Sequence, residues 1–151
     1  MDETARAGRP LHLWIVGGLG TLWNAFGCYD YFMTRTRGAD YIEGMMHTAD
    51  GEAIMAYING FPIWATAAWA LGVWGGLAGS ILLLMRHSMA VPTLAVSLIG
   101  AFVGIGYQLV NPSDIPELSE SVNKAMPYII IAIALALFLY ARAQRAKGVL
   151  R

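Results

Sequence analysis

The sequence predicts an all-α integral membrane protein, a bundle of four transmembrane helices with an amphipathic helical segment in the first periplasmic loop. Three observations carry this. Of 151 residues, 57% are hydrophobic and 13% charged, and the mean hydropathy of +0.52 lies outside the usual range of soluble domains. Four stretches, 11–33, 61–85, 90–110 and 125–141, contain no Lys, Arg or Glu. Each is close to the ~20 residues that an α-helix needs to cross ~30 Å of hydrocarbon, the last being the shortest. None shows the two-residue alternation of barrel strands, and only helices or closed barrels satisfy backbone polar groups in lipid. The chain is therefore read as a single membrane domain, 1–151.

In the first span Gly17, Gly20, Asn24, Gly27 and Tyr31 recur at three- and four-residue steps. They form one stripe of small and polar groups, which predicts a face turned toward protein. The arginines Arg6 and Arg9 followed by an apolar run resemble a signal sequence, and Ala25-Phe26-Gly27-Cys28 resembles a lipoprotein cleavage box. The run is longer than a signal core of ~7 to 15 residues and Phe26 is bulky where a small residue is needed, so a retained first helix is expected.

The long first loop, 34–60, carries Tyr41, Ile42, Met45, Met46 and Ala49 at helical spacing, an interruption at Gly51, and a second apolar run from Ala53 to Ile58. This predicts one or two short amphipathic helices at the outer boundary or over the bundle. The second span opens on Phe61-Pro62, where proline at a first turn loses no bonded donor. It continues through the overlapping pairs Gly72/Gly76 and Gly75/Gly79, spaced for close helix approach. Ser97, Gly100 and Gly104 repeat the device in the third span. The predicted helix-packing set is thus Gly20, Gly27, Gly72, Gly76, Gly79, Gly100 and Gly104. The short link Arg86–Met89 makes the second and third spans an antiparallel hairpin. The fourth span, from Pro127 to Tyr140, is apolar all round and reads as the most lipid-exposed wall.

Orientation follows from the basic residues. Arg6, Arg9, Arg86, Arg142, Arg145, Lys147 and Arg151 fall on one side, and Arg35, Arg37 and Lys124 on the other. The positive-inside rule places both termini in the cytoplasm. The loops opposite hold Asp40, Glu43, Asp50, Glu52, Asp114, Glu117 and Glu120, so the outer face is acidic. A formal net charge of zero gives no basic field, and no nucleic-acid partner is expected. The single cysteine, Cys28, allows no internal disulfide.

Asp30 is the only ionisable residue within the four spans apart from the tyrosines, Cys28 and His12. It lies three residues from the outer end of its span, at a level shared with Tyr107 and Gln108. These groups read as a polar pocket opening outward, or as an interfacial belt touched by water. Asn24 and Trp74 fall nearer the membrane centre, where an amide either bonds across helices or meets a ligand. The candidate ligand-binding set is Asp30, Asn24, Tyr107, Gln108 and Trp74. Glu43, Met45, Met46, His47 and Asp50 carry metal-ligating atoms but match no ligand spacing, so no metal site is expected. No Ser/His/Asp, phosphate-loop or paired-carboxylate arrangement appears, and the chain is expected to be neither an enzyme nor the carrier of a cofactor.

The segments LWIVGGLGTLWNAFGCYDYFMTRTR and AYINGFPIWATAAWALGVWGGLAGSILLLMRHSMAVPTLAVSLIG, with a basic tail after LFLYARA, resemble a family of small four-helix bacterial inner-membrane proteins sometimes labelled "sugar transporter". The likeness implies a multi-pass location in the bacterial inner membrane, and the chain departs from it between Gly44 and Gly51. The helix-two glycines and the hairpin are also distantly similar in architecture to DoxX-type proteins, which implies quinone-linked chemistry. Three roles follow as expectations. The first is solute handling or transport through a periplasm-facing polar pocket, in a homo-oligomer because four helices enclose little volume. The second is a non-enzymatic accessory subunit of a larger membrane complex. The third is a quinone-linked redox partner using Trp23 and Trp74.

Overall fold

A computed structural model describes residues 10–151; Arg6 and Arg9, which enter the charge argument, lie outside the described residues. The chain folds into six α-helices and no strand among those residues. They are α1 (Leu11–Arg37), α2 (Ala39–Met46), α3 (Gly51–Asn59), α4 (Ile63–Leu84), α5 (Ala90–Val110) and α6 (Ser121–Ala146), with a 3₁₀ turn over Pro116–Ser119 before α6.

Among the described residues three helices, α4, α5 and α6, are long and apolar enough to cross a membrane. Large apolar side chains on their outer faces, among them Ile63, Leu71, Ile99, Val110 and Leu139, are exposed, as a lipid solvent permits. Helix α6 buries the least of its length, in keeping with its apolar circumference. The predicted span 11–33 lies within α1, which is long enough to cross but less apolar, because Gly17, Gly18, Gly20, Thr21, Asn24, Gly27 and Asp30 interrupt its hydrophobic residues. Helix α1 runs without a break through Ala25–Cys28.

Three helix boundaries differ from the expected spans: the end of the first helix and both ends of the last, which runs on to Ala146. The first helix extends to Arg37 and ends at Gly38, whose φ of 55° lies in the left-handed region that glycine adopts without strain. Glycine there lets α2 begin at once and fold back. Helix α6 starts at Ser121 and not near Ala125, so Pro127 lies inside it. An apolar run marks where lipid begins, whereas a helix continues for as long as its backbone bonds can form, here through Ser121–Lys124.

The long helices alternate in direction, and α4 packs against α1 and α5 while α6 lies on α5. Glycines set the approach between α4 and α5: a Cβ on Gly100 would stand 2.6 Å from Ala68 O and 2.7 Å from Gly72 N, and one on Gly72 would meet Ala101 N at 3.1 Å. On the same interface a Cβ on Gly79 would overlap Leu94 Cγ at 2.6 Å. Gly20 faces Leu137 of α6, and Gly76 faces Asn24 of α1, both too closely for a methyl group. Gly27 and Gly104 are looser, with nearest atoms at 3.6 Å on Val73 and 3.4 Å on Trp69. All seven predicted packing glycines therefore lie at helix contacts.

The tightest core sits at the end carrying the α4–α5 turn, where Leu13, Leu83, Ala90, Leu94, Leu137, Ala141 and Leu150 form one buried cluster. The chain's last residues close it. Arg151 N donates to Arg86 O at 2.8 Å and Ser88 N donates to Arg151 O at 2.7 Å. Arg86 Nε donates to Val149 O at 3.0 Å. At the opposite end α2 and α3 fold over the helices, and there the packing opens into a cavity.

Candidate functional site

A cavity of about 400 Å³ lies between α1, α4, α5 and α6, with Met45 and Met46 of α2 and Leu118 of the 3₁₀ turn at its outer end. Its size falls within the ~300 to 1,000 Å³ of small-molecule sites. Most of the wall is apolar. Helix α1 contributes Trp23, Asn24, Phe26, Gly27 and Asp30, and α4 contributes Trp69, Gly72, Val73 and Gly76. Both sets follow the three- and four-residue steps of one helical face. Toward the turn end α1 and α6 meet, where His12 bonds Tyr140 and Gly20 abuts Leu137. Farther along, Phe26 and Met126 line the cavity while remaining partly exposed on the outer surface.

The floor is polar and fully organised. Asn24 Nδ2 donates to Gly20 O at 2.8 Å and to Ser80 Oγ at 3.1 Å. Ser80 Oγ donates onward to Gly76 O at 2.8 Å. Gly20 O can only accept, so it fixes the orientation of the amide, and Asn24 Oδ1 is the atom left over. It lies against Gly76, where only hydrogen leaves room for it. Ser97 Oγ donates to Gly72 O at 2.6 Å, joining α5 to α4 beside the same cavity.

Asp30 sits higher in the cavity, half-buried. Tyr41 of α2 donates its hydroxyl to Asp30 Oδ1 at 2.9 Å, and its ring stands edge-on to Tyr29 with centroids 6.3 Å apart. Among the described residues Asp30 has no ion-pair partner. Burial, then the hydrogen bond and negative charge of Asp30, and last Tyr29, push the Tyr41 phenol up to about 12. The hydroxyl therefore keeps its proton and remains a donor throughout the neutral range. Trp69 is braced from behind by Tyr31, edge-on with centroids 4.8 Å apart.

Of the five residues predicted from sequence, Asn24, Asp30 and Gln108 come together around this cavity. Tyr107 and Trp74 do not. Tyr107 is one residue from Gln108 and so turned about 100° around the helix. It joins a separate ring cluster with Phe61 at 5.1 Å and Trp64 at 5.3 Å. Tyr57, edge-on to Phe61 with centroids 5.0 Å apart, donates to Asn111 O at 2.7 Å and ties α3 to the end of α5. Burial, and secondarily Tyr107, raise the Tyr57 phenol pKa. Trp74 is 48% exposed on the outer face of α4. The aromatic walls are instead Trp23 and Trp69, and the latter carried a sequence signal, since 69, 72, 73 and 76 form one helical face.

Among the described residues no group of three or more His, Cys, Asp or Glu side chains is placed to hold a metal ion. The Met45 and Met46 side chains line the cavity, while His47 and Asp50 lie exposed beyond α2. Comparison with protein-family models, with curated proteins and with solved structures gives no match for this chain.

Proposed function

We propose that this chain is a four-span protein of a bacterial inner membrane that holds a small ligand in the cavity between its long helices. The observation that carries the reading is the cavity itself, an apolar space furnished with an oriented amide, a carboxylate and Gln108. Such a combination gives affinity through apolar burial and orientation through a few polar groups. In this reading α1 is the fourth span, its polar stripe buried against α4 and the cavity, which is how intramembrane polar groups are accommodated. Seven of ten basic residues on one side favour cytoplasmic termini. The cavity then belongs to the periplasmic half, with α2 and α3 as its outer cover.

A solute-handling role is favoured over a purely structural one because packing alone has no use for a cavity of about 400 Å³. The quinone-linked reading loses one of its two tryptophans, since Trp74 faces outward. The test is a cavity-filling variant. Gly27 lines the cavity, and a Cβ there has only Val73 Cγ1 near it, at 3.6 Å. Gly27→Leu should therefore fold while occupying the ligand's space. Mass spectrometry of small molecules released from gently extracted protein should find compounds retained by wild type and missing from Gly27→Leu. Identical small-molecule content in two well-folded preparations would refute a ligand cavity.

A further inference from the structure

Resting on the ligand-cavity reading, we propose that the occupant is a hydrophobic organic monocation, an amine or quaternary ammonium carrying an apolar body, with its charge placed between Asp30 and the Trp23 and Trp69 rings. The first reason is charge. Among the described residues Asp30 is the only acidic side chain lining the cavity, and no Lys, Arg or His of that set lines it. A carboxylate- or phosphate-bearing ligand would enter an apolar space against a like charge with no counter-ion, which is costly.

The second reason is the sense of the hydrogen bonding. Asn24 has spent both amide hydrogens on Gly20 O and Ser80 Oγ and offers only Oδ1. Ser97 has spent its hydroxyl hydrogen on Gly72 O. Asn123 Nδ2 is bound to Glu117 O at 2.6 Å, and Pro127, four residues on, has no N–H to give the Asn123 carbonyl. Asn24, Ser97 and Asp30 therefore present only acceptors, while Gln108, the second amide hydrogen of Asn123 and the two indole N–H groups also supply donors. Acceptors select a donor or a positive charge.

The third reason is the aromatic wall. Trp69 is held by Tyr31, and Trp23 lies one helical turn along α1 from Gly27 and two from Asp30, on the same face. Indole faces attract ammonium groups by ~0.5 to 2 kcal/mol, most strongly where water is excluded. A carboxylate whose one partner among the described residues is the Tyr41 hydroxyl supplies the counter-charge that a desolvated cation needs.

The experiment titrates full-length protein in lipid nanodiscs with benzyltrimethylammonium and, separately, with its uncharged carbon isostere neopentylbenzene, following tryptophan fluorescence. A background in which Trp14, Trp64 and Trp74, outside the cavity lining, are each changed to Phe leaves Trp23 and Trp69 as the reporters. Benzyltrimethylammonium should bind saturably, and Asp30→Asn should weaken it by about tenfold or more, as expected for loss of a desolvated charge partner. Asp30→Glu should restore part of that loss, and neopentylbenzene should bind Asp30→Asn and wild type within about twofold of each other. Equal affinity of Asp30→Asn and wild type for the cation overturns the proposal. Saturable binding of neopentylbenzene without the cation overturns it too, but leaves the ligand cavity standing; binding of neither probe removes both.

Discussion

Asn24 of α1 packs directly against Gly76 of α4, and Gly76→Ala tests whether that contact is rigid. A Cβ at Gly76 would fall on Asn24 Oδ1 and stand 3.1 Å from Ser97 Oγ. Asn24 cannot move aside freely, because its amide is held at 2.8 Å by Gly20 O and 3.1 Å by Ser80 Oγ. Rotation forfeits the bond to Gly20 O within α1 and the interhelical bond to Ser80 Oγ, the latter contributing ~0.6 to 1.7 kcal/mol between membrane helices. Residual overpacking adds ~1 to 3 kcal/mol, while alanine returns ~1 kcal/mol of helix propensity. The net expectation is a loss of ~1 to 4 kcal/mol. Gly106→Ala is the matched control, since a Cβ there meets nothing within 4 Å and should stabilise α5 by up to ~1 kcal/mol. Denaturant titrations in detergent, read by tryptophan fluorescence, compare the two. A double-mutant cycle with Asn24→Ala identifies the cause: removing the amide should relieve the clash, so the double variant should lose less than the sum of the single losses. Strict additivity, or a Gly76→Ala protein as stable as wild type, would refute the account.

Reporters inserted after Ala49 and fused after Arg151 should lie on opposite sides of the membrane; the same side for both would eliminate a four-span topology. Because the Tyr41 phenol is raised to about 12, its contribution to docking α2 should be complete below its ordinary value near 10 and vanish as pH climbs toward 12. Amide exchange of α2, corrected for its intrinsic pH dependence, should rise in that alkaline window in wild type and show no such step in Tyr41→Phe. Leu150 is 5% exposed within the turn-end core, so Leu150→Ala should cost ~2 to 5 kcal/mol in the same unfolding assay. An unchanged midpoint would show that the carboxy-terminal strap is dispensable.

Much of this architecture was legible in the residues because it depends on local chemistry. The hairpin of α4 and α5 follows from a link too short for anything but antiparallel neighbours. Gly72, Gly76, Gly79 and Gly100 announce close approach by the absence of side chains, and the structure puts each of them at a helix contact. The amphipathic spacing of Tyr41, Ile42, Met45 and Met46 announces a short helix, which is α2. Asn24 and Asp30 stand out because polar groups in an apolar run require a reason.

What the sequence by itself determined is therefore the helices, their order and the faces that must approach protein. Only the tertiary structure decided which groups meet across those faces. Depth along a helix is readable from residue count, so Tyr107 and Gln108 share a level with Asp30. Their azimuth separates them, and it is fixed by how α5 is rotated against α4 at Gly100. In a soluble protein polarity would reveal that rotation, but lipid is as apolar as a protein core, so outward and inward positions carry the same residue types. Trp69 and Trp74 illustrate this on one helix, the first lining the cavity and the second facing outward. Likewise the bond from Tyr41 to Asp30 depends on the turn at Gly38 that folds α2 back over α1, a long-range placement no local pattern contains.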